Sequence, residues 1–334
     1  MNHRGRSTSW FAKGAPVACA TLLLVGCAAF KTLPAYEQTY LAALHNGAFR
    51  TQFPRADHIT NGFDYGHAIL YETLIARARP TERLEGPTFA RLTTQVLRHP
   101  PSVPLKDAAI GPRYVALVPE VAAMFEWAHM LHRQLYDIWS IPGWSGVLRD
   151  AEVARAIRYY QTRPDLALSS VPKDMSLMEG QPYSKVFRAQ APKFNGLLWS
   201  YHWMQMALYD ALLVDTDPLA QRKAVDLVVD RFFALIADAP REMPSMMPMS
   251  AAVAPVFSTR HPEAAIIFDN LHALHDVVSD LLLSDVVPTN RKREIILRAA
   301  AAYRDDSTSI TTRSEWLEMS QMMTEPRLRP PPSR

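Results

Sequence analysis

Cysteine is nearly absent from this chain of 334 residues: Cys19 and Cys27 are the only two, and none follows residue 27. The body therefore has neither a disulfide framework nor thiolate metal ligands. Glycine is sparse, at 12 residues, and no glycine-rich phosphate loop, zincin motif or nucleophile elbow occurs. Beyond the N-terminus there is no run of 18 apolar residues able to span a bilayer as a helix. The period-2 alternation of half-buried strands is missing too. Once Arg4, Arg6 and Lys13 are set aside, 33 basic residues face 33 acidic ones, which excludes the basic footprint of a nucleic-acid-binding protein.

What the N-terminus does contain is an export signal. Three basic residues and no acid precede residue 27, followed by the apolar run "VACATLLLVG", too short for a standard membrane span. The run ends in "LVGC", Leu24 to Cys27, and here the chain resembles bacterial lipoprotein precursors. That resemblance implies cleavage before Cys27, acylation of Cys27 and a firm hold on the membrane through several acyl chains. Ala28 rather than Asp after the cysteine implies sorting to the outer membrane, with the body facing the periplasm. Residues 1–26 would be removed, and Cys19 with them.

The rest of the chain reads as all-α. Apolar residues recur at helical spacing in long segments that stop at Pro and Gly. Residues 27–60 are expected to form a tether with one short helix around "AYEQTYLAALHNG", stopped by Gly47. Residues 61–165 form a first helical half, 166–193 a connector, 194–308 a second half, and 309–334 a partly disordered C-terminal segment. The two halves are expected to make one domain, because the sequence repeats. At an offset of 143, Phe125, Glu126, His129, Leu131 and His132 match Phe268, Asp269, His272, Leu274 and His275, and the register continues through Asp137/Asp280, Arg155/Arg298 and Tyr160/Tyr303. At an offset of 138, Tyr71 and Glu72 match Tyr209 and Asp210. Two like halves, each burying one face, favour a pseudo-symmetric helical bundle.

"FEWAHMLH" and "FDNLHALH" carry the chemistry. An acid and a histidine three residues apart share one helix face and can offer an oxygen and a nitrogen to one ion. Glu126 with His129, Asp269 with His272, and single carboxylates from Glu72 and Asp210 together give four carboxylates and two imidazoles. This ligand count resembles ferritin-like di-iron carboxylate bundles. The resemblance implies iron or manganese and oxidative chemistry at two metals, although Asp stands where that pattern has Glu in the second half. His67, His202 and Tyr209 are expected behind the ligands, since His202, Gln205 and Tyr209 form a polar stripe on a helix that is otherwise apolar all round. His132 and His275 lie nearer the apolar sides of their helices and are the alternate ligands.

Two other readings belong to different classes. One is a non-enzymatic scaffold or interaction lipoprotein in which the same histidines are structural. The other is copper carriage by thioethers, because Met243, Met246, Met247 and Met249, and again Met319, Met322 and Met323, include a Met-x-x-Met-Met spacing. Flexible apolar packing explains methionine clusters equally well.

Overall fold

The structure is a computed structural model. It describes residues 37–76, 79–214, 217–239, 241–325 and 328. The apolar run, Cys27 and Ala28 lie outside the described residues. The chain is all-α, and among the described residues no strand forms beyond an isolated bridge between Lys173 and Ile310. No described helix is long and apolar enough to cross a membrane.

A 3-10 turn at Glu37–Thr39 leads to α1 (Ala48–Gln52) and α2 (Pro54–Ile75). Next come α3 (Pro80–Arg83) and α4 (Phe89–Arg91), each continued by a π turn, at Leu84–Thr88 and Leu92–Val96. Then follow α5 (Asp107–Ile110), α6 (Pro112–Leu117), α7 (Pro119–Ser140) and α8 (Gly146–Gln161). The middle of the chain holds α9 (Ser176–Glu179), α10 (Val186–Gln190), α11 (Pro192–Leu213) and α12 (Pro218–Ala237). The chain closes with α13 (Ser250–Val253), α14 (Pro255–Arg260), α15 (Pro262–Leu283), α16 (Thr289–Arg304) and α17 (Arg313–Met323).

Four helices of equal length, α2, α7, α11 and α15, have 22 residues each and form the central bundle. Each begins with proline, and each is preceded by a short helix and a single residue with φ near −130° and ψ near 60°: Phe53, Val118, Ala191 and His261. The residue before a proline is sterically barred from helical geometry, so the short helix must end there. Proline then fills the first helical position, where its missing N–H costs nothing. The result is a sharp corner at the head of every central helix.

Around the bundle, α2 packs on α11 and α15, and α7 packs on the same two. The outer helices α8 and α16 lie on α7 and α15, and α12 lies on α11. Burial follows this enclosure. From Ala264 to Leu283 every residue of α15 is buried, and α7 is buried from Val121 onward apart from Ala123 and Glu126, which are half-buried. A helix ringed by neighbours has no solvated side, so the polar faces of α7 and α15 point into protein.

Several boundaries differ from the sequence expectation. The bundle begins before residue 61: Phe49 and Phe53 are buried core residues, and α2 starts at Pro54. Gly47 precedes a helix rather than ending one. It adopts φ 82°, the left-handed region glycine tolerates, just before α1. The C-terminal segment contributes α17, opened by a capping box between Thr312 and Glu315. Trp316 on that helix is buried, and the carbonyl of buried Leu328 accepts a hydrogen bond from Trp203 Nε1 at 3.0 Å.

Candidate metal centre

The carboxylates of the acid-x-x-His pairs serve as caps. Backbone N–H groups at a helix start lack partners within the helix and are well satisfied by carboxylates. Glu126 accepts from Asp107 N (3.0 Å) at the start of α5. Its counterpart Asp269 accepts from Ser250 N (2.8 Å) at the start of α13, from Ser250 Oγ (2.7 Å) and from Trp316 Nε1 (2.8 Å). Glu72 accepts from Arg113 N and Tyr114 N at the start of α6 and pairs with the Arg113 guanidinium. Asp210 accepts from Val256 N and Phe257 N at the start of α14. Burial pushes the carboxyls of Asp210 and Asp269 up to about 6, against the opposing pull of these N–H donors.

Two further carboxylates do the same at the remaining corners. Asp137 binds Gly47 N and Phe49 N before and in α1, and Asp280 binds Lys185 N and Phe187 N before and in α10. Each central helix thus carries, at its nineteenth residue, an acid that caps a short helix: Glu72, Asp137, Asp210 and Asp280. The pairing is reciprocal, for α2 caps the short helix that leads into α7 while α7 caps the one that leads into α2. Helices α11 and α15 are related in the same way.

The histidines take the other direction. Counted from its initial proline, each central helix places polar residues at its eleventh and fourteenth positions: Asp64 and His67, His129 and His132, His202 and Gln205, His272 and His275. All eight are buried, at 6% exposure or less. They form one layer at mid-height of the bundle. Neighbouring ring centroids lie 4.1 Å apart for His67 and His275, 4.0 Å for His202 and His272, 5.4 Å for His129 and His275, 5.2 Å for His67 and His202, and 5.9 Å for His132 and His272. Tyrosines fix the layer from three corners. Tyr71 donates to the carbonyl of His275 (3.1 Å), Tyr136 to that of Gln205 (2.7 Å) and Tyr209 to that of His132 (3.3 Å), each reaching the fourteenth residue of a neighbouring helix. At the fourth corner Ser279 is too short to cross and instead bonds its own helix at the carbonyl of His275.

Within this layer one donor at each of His67, His129 and His275 lies within 4.8 Å of the other two, and these three imidazoles could hold a metal ion. Nitrogens bound tetrahedrally at about 2.0–2.1 Å lie roughly 3.4 Å from one another. Closing the triad therefore asks each pair to approach by no more than about 1.4 Å, within the reach of small ring rotations. Burial holds the imidazoles in their neutral, ligand-competent form: it lowers His67, His129 and His275, drives His132 and His202 down likewise, and brings His272 to about 3. Only at His129 does a carboxylate oppose this, with Asp64 Oδ1 3.7 Å from its Nδ1, and that carboxylate is itself paired with Arg133.

The sequence-derived site is thus brought together only in part. His129 belongs to the triad and His272 to the same layer, while Glu72, Glu126, Asp210 and Asp269 are spent at the corners. His67, expected behind the ligands, and His275, expected as a substitute, complete the triad instead. The hydroxyl of Tyr209 lies at hydrogen-bonding distance (2.8 Å) from His132 Nδ1. Both ring nitrogens of His67 and His202 and Oε1 of Gln205 have no hydrogen-bond partner in the protein. The methionines pack. Met247, Met249 and Met319 join Met175 and Met178 around a cavity of about 20 Å³ beside Trp316 and Asp269, whereas Met322 is exposed. What sequence comparison at two offsets missed was the common register of all four helices, which counting from Pro54, Pro119, Pro192 and Pro262 would have exposed.

Comparison of the chain with family models, curated proteins and solved structures finds no match.

Proposed function

We propose that this chain is a lipid-anchored metal protein of the bacterial cell envelope, holding a transition-metal ion in its helical bundle through His67, His129 and His275. The observation that carries the reading is hydrogen-bond accounting. Ten of the twelve ring nitrogens in the six-histidine layer are buried without a partner in the protein. A neutral imidazole carries one N–H and one lone pair, and where both nitrogens are buried without a partner the lone pair is an acceptor left unused, at a cost of about 1–3 kcal/mol. Both nitrogens are unpartnered at His67, His202, His272 and His275, and four unused lone pairs would cost on the order of 4–12 kcal/mol, comparable to the whole stability of an ordinary domain. Histidines kept only for packing would be better replaced by leucine, so the layer is built for a ligand that takes nitrogen lone pairs.

The donor set argues for copper. Imidazole suits copper, zinc, iron and nickel, and of these copper alone offers a monovalent ion under ordinary reducing conditions. The triad supplies no negative charge, and the nearest carboxylate, Asp64, is already neutralised by Arg133. Burying a monovalent ion there costs far less desolvation than burying a divalent one, which favours the copper(I) state. The iron or manganese expected from four carboxylate ligands loses its oxygen donors to the helix caps.

For the anchor, the support is the signal and the "LVGC" sequence ending at Cys27. Cys27→Ser should abolish acyl labelling and release the protein from the membrane fraction. For the metal, the full-length chain purified in detergent should bind copper(I) under reducing conditions, and the His67→Ala/His275→Ala variant should lose that ion. Copper retained in full by the variant would refute the triad.

A further inference from the structure

Two outer helices occupy matching places, and the space beside one is filled while the space beside the other is open. Helix α8 follows α7 after residues 141–145, α16 follows α15 after residues 284–288, and both are 16 residues long. Likewise α1 and α10 have five residues each and follow a residue in the left-handed region, Gly47 at φ 82° and Lys185 at φ 68°. Both are capped in the same way, by Asp137 and Asp280. By distance from these helix starts, Thr39 corresponds to Leu177 and His45 to Tyr183. On the other side Trp144 corresponds to Val287, Glu152 to Ile295, Arg155 to Arg298 and Tyr159 to Ala302.

Beside α8 these residues close on one another. His45 is buried, with its ring edge-on to Trp144 (centroids 6.0 Å apart) and its Nδ1 3.6 Å from Glu152 Oε2. The Tyr159 hydroxyl donates to the carbonyl of Thr39 at 2.8 Å, and Glu152 accepts from Nε and Nη2 of Arg155. Beside α16 the indole and the phenol give way to valine and alanine. Leu177, Tyr183, Val287, Ile295, Arg298 and Ala302 there line a cleft of about 480 Å³. That is within the range of about 300–1,000 Å³ typical of small-molecule sites.

The charge changes with the shape. Ile295 stands where Glu152 would, so among the described residues Arg298 is the one charged residue lining the cleft. Its side chain is 69% exposed, which puts the guanidinium on the rim. Glu294, which accepts from Arg298 Nη2 at 2.6 Å, is outside the lining and is shared with Arg291. We infer that this cleft binds a small aromatic carboxylate, its ring taking the space that Trp144 and Tyr159 fill in the matching place and its carboxylate meeting Arg298. An apolar wall suits the ring, and a planar guanidinium presents paired N–H donors that match a carboxylate. The cleft contains none of the layer histidines, so the inference stands apart from the metal reading.

The test is calorimetric titration of the full-length chain in lipid nanodiscs with indole-3-acetate, indole and octanoate, with empty nanodiscs as the blank. Saturable binding of one indole-3-acetate per chain is expected. Val287→Trp/Ala302→Tyr, which fills the cleft as its counterpart is filled, should abolish that binding. Arg298→Gln should weaken it by about 10- to 100-fold, the worth of a hydrogen bond to a charged group, and leave indole binding unchanged. Helical circular dichroism checks the fold of both variants, and the exposed position of Arg298 keeps the test decisive if the filled variant does not fold. The inference is overturned if the native chain shows no saturable binding, if Arg298→Gln binds indole-3-acetate as the native chain does, or if octanoate binds as tightly as indole-3-acetate.

Discussion

Asp269 separates a ligand from a cap, and replacing it with alanine makes the distinction measurable. In the structure its carboxylate receives three hydrogen bonds, from Ser250 N, Ser250 Oγ and Trp316 Nε1, all buried. The Ser250 hydroxyl has a second acceptor in the carbonyl of Ala265 at 3.3 Å, so two donors are stranded by the change. At about 1–3 kcal/mol each this gives roughly 2–6 kcal/mol, less the relief of no longer burying a charge, hence about 2–4 kcal/mol at pH 7. The pH dependence has a definite sign. The folded carboxyl titrates near 6 and the unfolded one near 3.8, so the folded state holds the proton more tightly between those values. Wild type therefore gains stability relative to Asp269→Ala as pH falls, and the gap should widen by about 1 kcal/mol between pH 7 and pH 5. Urea or guanidinium midpoints of both proteins at the two pH values measure this, and metal content measured on the same samples should be unchanged. A variant that keeps its stability but loses its metal would refute the division of labour between capping acids and inward histidines.

Further expectations follow the same physics. Tyr209→Phe removes the buried hydrogen bonds to His132 Nδ1 and to the His132 carbonyl and should cost about 1–3 kcal/mol in denaturation midpoints with little change in helical content. His45 and His261 are buried and each brought down to about 4, so unfolded chains take up protons below pH 6.5 that the folded state refuses. Stability is then complete above pH 6.5 and lost as pH falls toward 4, by about 2 kcal/mol per histidine at pH 5, and His45→Gln/His261→Gln should flatten that loss in denaturation midpoints. Gly111→Ala would place a Cβ 2.9 Å from the carbonyl oxygen of Ala68, at the corner before α6, and should cost about 1–3 kcal/mol in the same assay.

How much of this could be read from the sequence depends on which neighbours a residue needs. Helical periodicity and proline punctuation are local, so the all-α architecture was legible. The likeness of "FEWAHMLH" to "FDNLHALH" was legible too, but the helical wheel could not say which side faced inward, because α7 and α15 are enclosed on every side. Acid and histidine three residues apart looked like one ligand pair. The short helices α5 and α13 are what draw Glu126 and Asp269 away, and their N–H groups arrive from 19 residues earlier in the chain. The meeting of His67 and His275 with His129 was not legible for a related reason: an imidazole on an apolar face resembles a packed core histidine until four helices bring such residues to one level.

X-ray absorption at the metal edge of the loaded full-length protein distinguishes a metal held among imidazoles from one held by carboxylates or thioethers. A first shell of nitrogen at about 2.0 Å is expected, with the outer-ring scattering of at least two imidazoles per metal and no sulfur. A sulfur shell near 2.3 Å, pointing to Met247, Met249 and Met319, or an oxygen shell without imidazole scattering, pointing back to the carboxylates, would contradict it.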